Sequence, residues 1–121
     1  MGNKAVINVT TGLEDSEKVS LALLSAIAAA EGGRPTLAFL TKEAVRLVTT
    51  GVARGVSCKG CPDIAELMER FVTAGGRFMA CSLCFGARGL DADDLIAHAE
   101  VAGTVQLWEW IGDEAATTFS Y

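Results

Sequence analysis

Two thiols three residues apart, Cys81 and Cys84, are the side chains in this chain best suited to chemistry. Cysteine is the strong soft nucleophile among side chains, and its thiolate also binds soft metals. The pair follows a short apolar run, Arg77-Phe78-Met79-Ala80, that reads as a buried strand, so Cys81 is expected at a strand end. Arg88 and the glycines Gly86 and Gly89 come next, supplying a nearby positive charge and a backbone free to turn tightly. A second pair, Cys58 and Cys61, completes the pattern C-x2-C-x19-C-x2-C.

Three readings of this pattern stand open. Two C-x2-C pairs at this separation match the spacing of a zinc site, with Cys58, Cys61, Cys81 and Cys84 as tetrahedral ligands. The residues between them, however, read as a helix and a core strand rather than a zinc ribbon. The second reading is thiol or persulfide chemistry at Cys81. Arg88 and free N–H groups of the following turn would favour its thiolate, and Cys84 would act as an assisting or resolving thiol. Cys61, just before Pro62 at an expected helix start, is a further relay point in that reading, with Cys58 beside it. In the third, the cysteines are small buried hydrophobes.

The elements that position these thiols follow from periodicity. Lys4 to Val9 is β-branched-rich and ends at Thr10-Thr11-Gly12, a strand running into a loop. A helix is expected from about Asp15 to Glu31, capped by Asp15 or by a Thr11/Glu14 capping box, apolar around most of its circumference and closed by Gly32-Gly33. Thr36 to Leu40 predicts a second strand and Lys42 to Thr50 a second helix. A loop follows to Gly60, then a third helix opening at Cys61-Pro62, with Ile64, Leu67, Met68, Phe71 and Val72 on its apolar face. Beyond the Cys81 strand, Asp91 is expected to cap a fourth helix from Ala92 to about Glu100. Thr104 to Trp110 and Ala116 to Phe119 are expected strands. Strands alternating with helices indicate βαβ units, hence one α/β domain over residues 1–121, doubly wound, with a mostly parallel sheet and helices on both faces.

Composition narrows the function. The chain has 121 residues, half of them hydrophobic, which suffices for a real core. A net charge of −5 without a Lys/Arg cluster excludes a nucleic-acid binder. The longest apolar stretch, Val19 to Ala30, falls short of the roughly 20 residues that span a bilayer. No leader is visible in Met1-Gly2-Asn3-Lys4-Ala5-Val6, and valine at position 6 fails a myristoylation signal, so a cytoplasmic protein is expected. In a reducing compartment four cysteines suit metal or redox chemistry better than a structural disulfide framework.

The other candidates reduce to structure. His98 reads as a packing or surface residue of the fourth helix. Trp108 and Trp110 alternate, so they share one face of their expected strand, either for sheet packing or for a subunit interface. Asp91, Asp93 and Asp94 fit capping and the helix dipole. Thr10-Thr11-Gly12 precedes a helix and could hold a small anion, but it lacks the lysine of a phosphate-binding loop.

Val6-Ile7-Asn8-Val9-Thr10-Thr11-Gly12-Leu13-Glu14-Asp15, Gly76-Arg77-Phe78-Met79-Ala80-Cys81, Ala87-Arg88-Gly89-Leu90 and Thr117-Thr118-Phe119 together resemble the DsrE/DsrF-like (YchN-like) family, in order and over nearly the whole chain. The resemblance implies a doubly wound α/β fold assembled into homotrimers or homohexamers. It also implies that Cys81 carries persulfide sulfur between donor and acceptor proteins of a relay, a possible sulfurtransferase with no cofactor. Cys84 and the Cys58/Cys61 pair depart from a single-cysteine carrier and keep zinc or dithiol redox chemistry open. A thioredoxin is not expected, because its C-x-x-C opens the first helix of a βαβ unit, whereas this pair follows a later strand.

Overall fold

A computed structural model describes residues 3–121; Met1 and Gly2, part of the amino-terminal segment read above for a leader, lie outside them. The first strand, β1 (Lys4–Val9), leads through Thr10-Thr11-Gly12 and a short 3-10 turn into helix α1 (Ser16–Glu31). Asp15 caps α1, its Oδ1 accepting from the Lys18 amide at 3.1 Å, while Glu14 Oε1 takes the Gly12 amide instead of completing a capping box with Thr11. Val19, Ala22, Leu23, Ala26, Ile27 and Ala30 form its buried stripe, whereas Leu21 and Leu24 face outward. The helix is thus buried on one side only, not on several as its composition suggested. Gly33, with φ +92°, supplies the left-handed residue after its end.

Strand β2 (Thr36–Leu40) is buried at every position and passes into a 3-10 helix, Lys42–Val48, where an α-helix was expected. After an irregular loop, α2 (Ile64–Thr73) begins two residues beyond Pro62, capped by Asp63 Oδ1 on the Ala65 amide at 2.9 Å. Ile64, Leu67, Met68 and Phe71, four of the five residues the periodicity assigned, are buried, and the fifth, Val72, is half-buried. Strand β3 (Arg77–Cys81) ends on Cys81 and runs directly into α3 (Ser82–Ala87), a helix read above only as a turn.

Two later expectations fail. Asp91 to His98 is not a helix. Asp91 Oδ1 accepts from the Asp93 amide, and the segment then pairs with residues 48–50 through Ile96 N to Val48 O at 2.9 Å and Thr50 N to Asp94 O at 3.0 Å. This pairing is a single antiparallel bridge, Thr49 to Leu95, flanked by turns, and β4 (Ala99–Ala102) begins after the second of them. His98 therefore sits in a left-handed conformation, φ +63°, just before a strand, not inside a helix. Thr104 to Ile111 is α4, not a strand. Its buried-side contacts come from Leu107, Trp110 and Ile111, an i, i+3, i+4 set, while Trp108 points to solvent. The two tryptophans thus do not share a face. The chain ends in β5 (Ala116–Ser120).

All strand pairings are parallel, in the order β4-β3-β2-β1-β5. Right-handed crossovers dictate where the helices lie. From β1 to β4 the chain steps in one direction, so α1, α2 and α3 cover one face. It then returns from the β4 edge past three strands to the opposite edge at β5, which puts α4 alone on the other face. Ile7, Val9, Ala38, Leu40, Phe78 and Ala80 pack against the first layer, and Val6, Leu37, Phe39 and Met79 against the second.

Phe71 of α2 and Phe78 of β3 meet edge to face with centroids 5.1 Å apart, both fully buried. Gly76 makes this possible, since a Cβ there would lie 2.3 Å from the Phe71 ring. Gly76→Ala is expected to destabilise the fold by about 1–3 kcal/mol through overpacking. Urea unfolding should show a lower midpoint at an unchanged slope; an unaltered midpoint would contradict the packing described.

Candidate functional site

In open parallel sheets, sites form beyond the carboxyl ends of strands, where neighbouring connections leave toward opposite faces. Here β3 continues into α3 on one face, and its neighbour β4 leads through Gly103 into α4 on the other. Cys81, the last residue of β3, pairs with Ala102, the last residue of β4. It is half-buried and packs against both hydrophobic layers. A Cβ at Gly103 would lie 3.6 Å from Ser82 Oγ and 3.4 Å from Gln106 Oε1, so the starts of α3 and α4 flank the point where Cys81 stands.

Cys81 occupies the N-cap position of α3 and Cys84 its third helical position. Those are the two positions that a capping box links, each side chain reaching the other residue's backbone N–H; Cys81 makes no such side-chain cap bond. Both are free thiols and half-buried, while Leu83 between them is 80% exposed.

Arg88 closes α3. Its Nη1 donates to the Cys84 carbonyl at 3.1 Å and its Nε to the carboxylate of Glu43, which also accepts from Arg46 Nε at 3.1 Å. The guanidinium thus ties α3 to the 3-10 helix after β2, and its hydrogen bonds go to these oxygens. The Arg88 hydrogen bond, more than the Arg46 contact, holds the Glu43 carboxyl below its usual range. Glu43 escaped the sequence reading because its partner lies 45 residues away. Gly12 shares this region: a Cβ there would come within 2.6 Å of the Glu43 carbonyl oxygen. Its amide donates to Glu14 Oε1 at 2.7 Å, so the loop considered above for an anion already satisfies one donor internally.

Cys58 and Cys61 are joined as a disulfide in the loop before α2, with Cys58 buried and its Sγ 3.7 Å from Ser20 Oγ. Among the described residues, no three His, Cys, Asp or Glu side chains gather closely enough to hold a metal ion. Cys58 and Cys61 are thus not gathered with Cys81 and Cys84 as the four-ligand reading would place them. His98 precedes β4 at the far end of the strand, about 13 Å from the level of Cys81 at 3.3 Å per residue. A cleft of about 480 Å³ between α2 and residues 49–54 and 96–97 contains no cysteine.

The profile of the DsrE/DsrF-like family matches residues 3–119. The chain belongs to that family. The DsrE-like fold is also that of the YchN protein from E. coli, which superposes with a TM-score of 0.76 at 22% identity, covering 98% of this chain and 99% of that one. A protein of unknown function from Methanobacterium thermoautotrophicum superposes with a TM-score of 0.62 at 21% identity, covering 98% and 100%. An uncharacterised protein of Methanopyrus kandleri is 29% identical over 103 residues, 85% of this chain and 82% of its own length.

Replacing Arg88 by methionine removes the group that holds the Glu43 carboxyl down, so its pKa should rise toward 4.5. Because the folded value lies below the unfolded one, the stability this contact contributes is present above pH 4.5 and is lost as pH falls through the folded pKa. Carboxyl-carbon NMR titration of both proteins checks this; superimposable Glu43 curves would exclude Arg88 as the cause.

Proposed function

We propose that this DsrE-like protein is a sulfur carrier of sulfurtransferase type, with Cys81 as the acceptor thiol. The observation that carries the reading is the place of Cys81: a half-buried free thiol on the last residue of β3, where the connections of β3 and β4 part to opposite faces. The membership in a family associated with sulfur relay supports it.

In the proposed transfer, the Cys81 thiolate attacks the outer sulfur of a donor persulfide. The donor's S–S bond breaks, the donor leaves as a thiolate, and a Cys81 persulfide forms. An acceptor thiolate then takes the outer sulfur in the same way and returns Cys81 to a thiolate. Alternatively, Cys84 attacks Cys81 Sγ and displaces hydrosulfide, leaving a Cys81–Cys84 disulfide that a thiol must reduce. Arg88 is a positioning residue, holding α3 and the Cys84 carbonyl against Glu43. The partners are the donor and acceptor proteins of a relay in the cytoplasm, and no resident cofactor is required.

The protein also acts as a homo-oligomer in this reading, a trimer or hexamer. Helix α4 is alone on its face, and Val105 and Trp108, three residues apart, expose 63% and 68% of their surface. Isolated apolar side chains of this size are common, but two adjacent ones beside a thinly covered sheet face fit an interface.

Incubated with inorganic polysulfide and analysed without reductant, the intact protein should gain about 32 Da, one sulfur, lost on reduction and absent from Cys81→Ser. Persistence of the adduct in that variant would move the acceptor role to another cysteine. Light scattering should give three or six chains for the native protein and fewer for Trp108→Glu; a monomeric native protein would refute the assembly.

A further inference from the structure

The second cysteine pair is built differently from the first. Cys58-Lys59-Gly60-Cys61 is a β-turn in its own right: the Cys61 amide donates to the Cys58 carbonyl at 2.9 Å, and Gly60 holds φ +79°. A turn with a left-handed residue at its third position calls for glycine. The backbone therefore brings the two sulfur-bearing residues together, with Cα atoms 5.1 Å apart, by a hydrogen bond that does not depend on the S–S link. The following segment is anchored separately, through Ile64 N to Val56 O at 2.8 Å and the Asp63 cap. Opening the disulfide thus leaves the turn and α2 in place. The two sulfurs also differ. Cys61 is half-exposed beside exposed Lys59, Gly60 and Pro62, and Cys58 is buried against α1.

From this geometry we propose that Cys58 and Cys61 form a redox-active dithiol–disulfide site, distinct from Cys81 and Cys84, that exchanges two electrons with an external thiol. An external thiolate attacks the exposed Cys61 Sγ and breaks the S–S bond. Cys58 leaves as a thiolate, takes a proton from water, and as a thiol donates to Ser20 Oγ, whose own proton is committed to the Ser16 carbonyl at 2.8 Å. A second external thiolate attacks the external sulfur of the mixed disulfide, releasing Cys61. Two external thiols are thereby oxidised to their disulfide, and the Cys58–Cys61 bond is reduced to two thiols. Nothing in this step passes through Cys81, so it stands apart from the carrier reading.

The test is a glutathione titration of the Cys81→Ser/Cys84→Ser variant, so that only the second pair reports. This variant, folded, is equilibrated at varied ratios of reduced to oxidised glutathione, alkylated and weighed, with circular dichroism recorded at each ratio. A reversible transition between zero and two alkyl groups, with the dichroism unchanged, is expected. A pair that opens only when the fold is lost would overturn the proposal, as would one that stays reduced at every ratio. Gly60→Val places a β-branched residue in the left-handed region. Its reduced form can escape that strain by leaving the turn while its disulfide cannot, so the transition should shift about ten-fold toward the reduced pair. An unshifted Gly60→Val curve would refute the role assigned to the turn.

Discussion

The handedness of parallel crossovers is the constraint on which the rest of this structure depends. Four strands laid down in one direction commit their helices to one face, and only a reversal can cover the other. The 13 residues between β4 and β5 make that reversal, past the three strands between them. They must form a crossing element on the bare face, and they form α4, whose Leu107, Trp110 and Ile111 close over Val6, Leu37, Phe39 and Met79. Because the reversal begins at β4, the gap between the ends of β3 and β4 is where the two layers part. Cys81 stands at that gap because it is the last residue of β3, and the same reversal leaves α4 without a neighbouring helix.

The cysteines divide according to what holds them. Cys81 and Cys84 are placed by tertiary structure: a strand end, a helix that begins on the thiol itself, and an arginine that fastens the helix to Glu43. Cys58 and Cys61 are placed by four residues of local backbone and one glycine. The equal C-x2-C spacing of the pairs conceals this difference, since one spans the first turn of a helix and the other a β-turn.

Much of the fold was legible in the sequence where one local signal dominated. The β-branched runs of β1 and β2, the stripe Ile64, Leu67, Met68 and Phe71, the paired glycines after α1 and α2, and the strand into Cys81 are all local patterns. The reading failed where long-range contacts outweighed them. Asp91 to Glu100 has the composition of a capped helix, yet pairing with residues 48–50 holds it as turns around a single bridge at Leu95. Thr104 to Trp110 alternates like a strand, yet its i, i+3, i+4 set is what the uncovered sheet face selects. Likewise, nothing near Arg88 in the sequence points to Glu43.

The sequence by itself determined the fold class, the family and the thiol at the end of the third strand, because periodicity and strand-end motifs are encoded within a few residues. Only the tertiary structure decided that Cys58 and Cys61 are not gathered with Cys81 and Cys84, that Arg88 serves Glu43 and the Cys84 carbonyl, and that the sheet faces are covered unequally. Those features depend on which distant segments meet. That is settled by the order of strands and the hand of their connections, which no local spacing records.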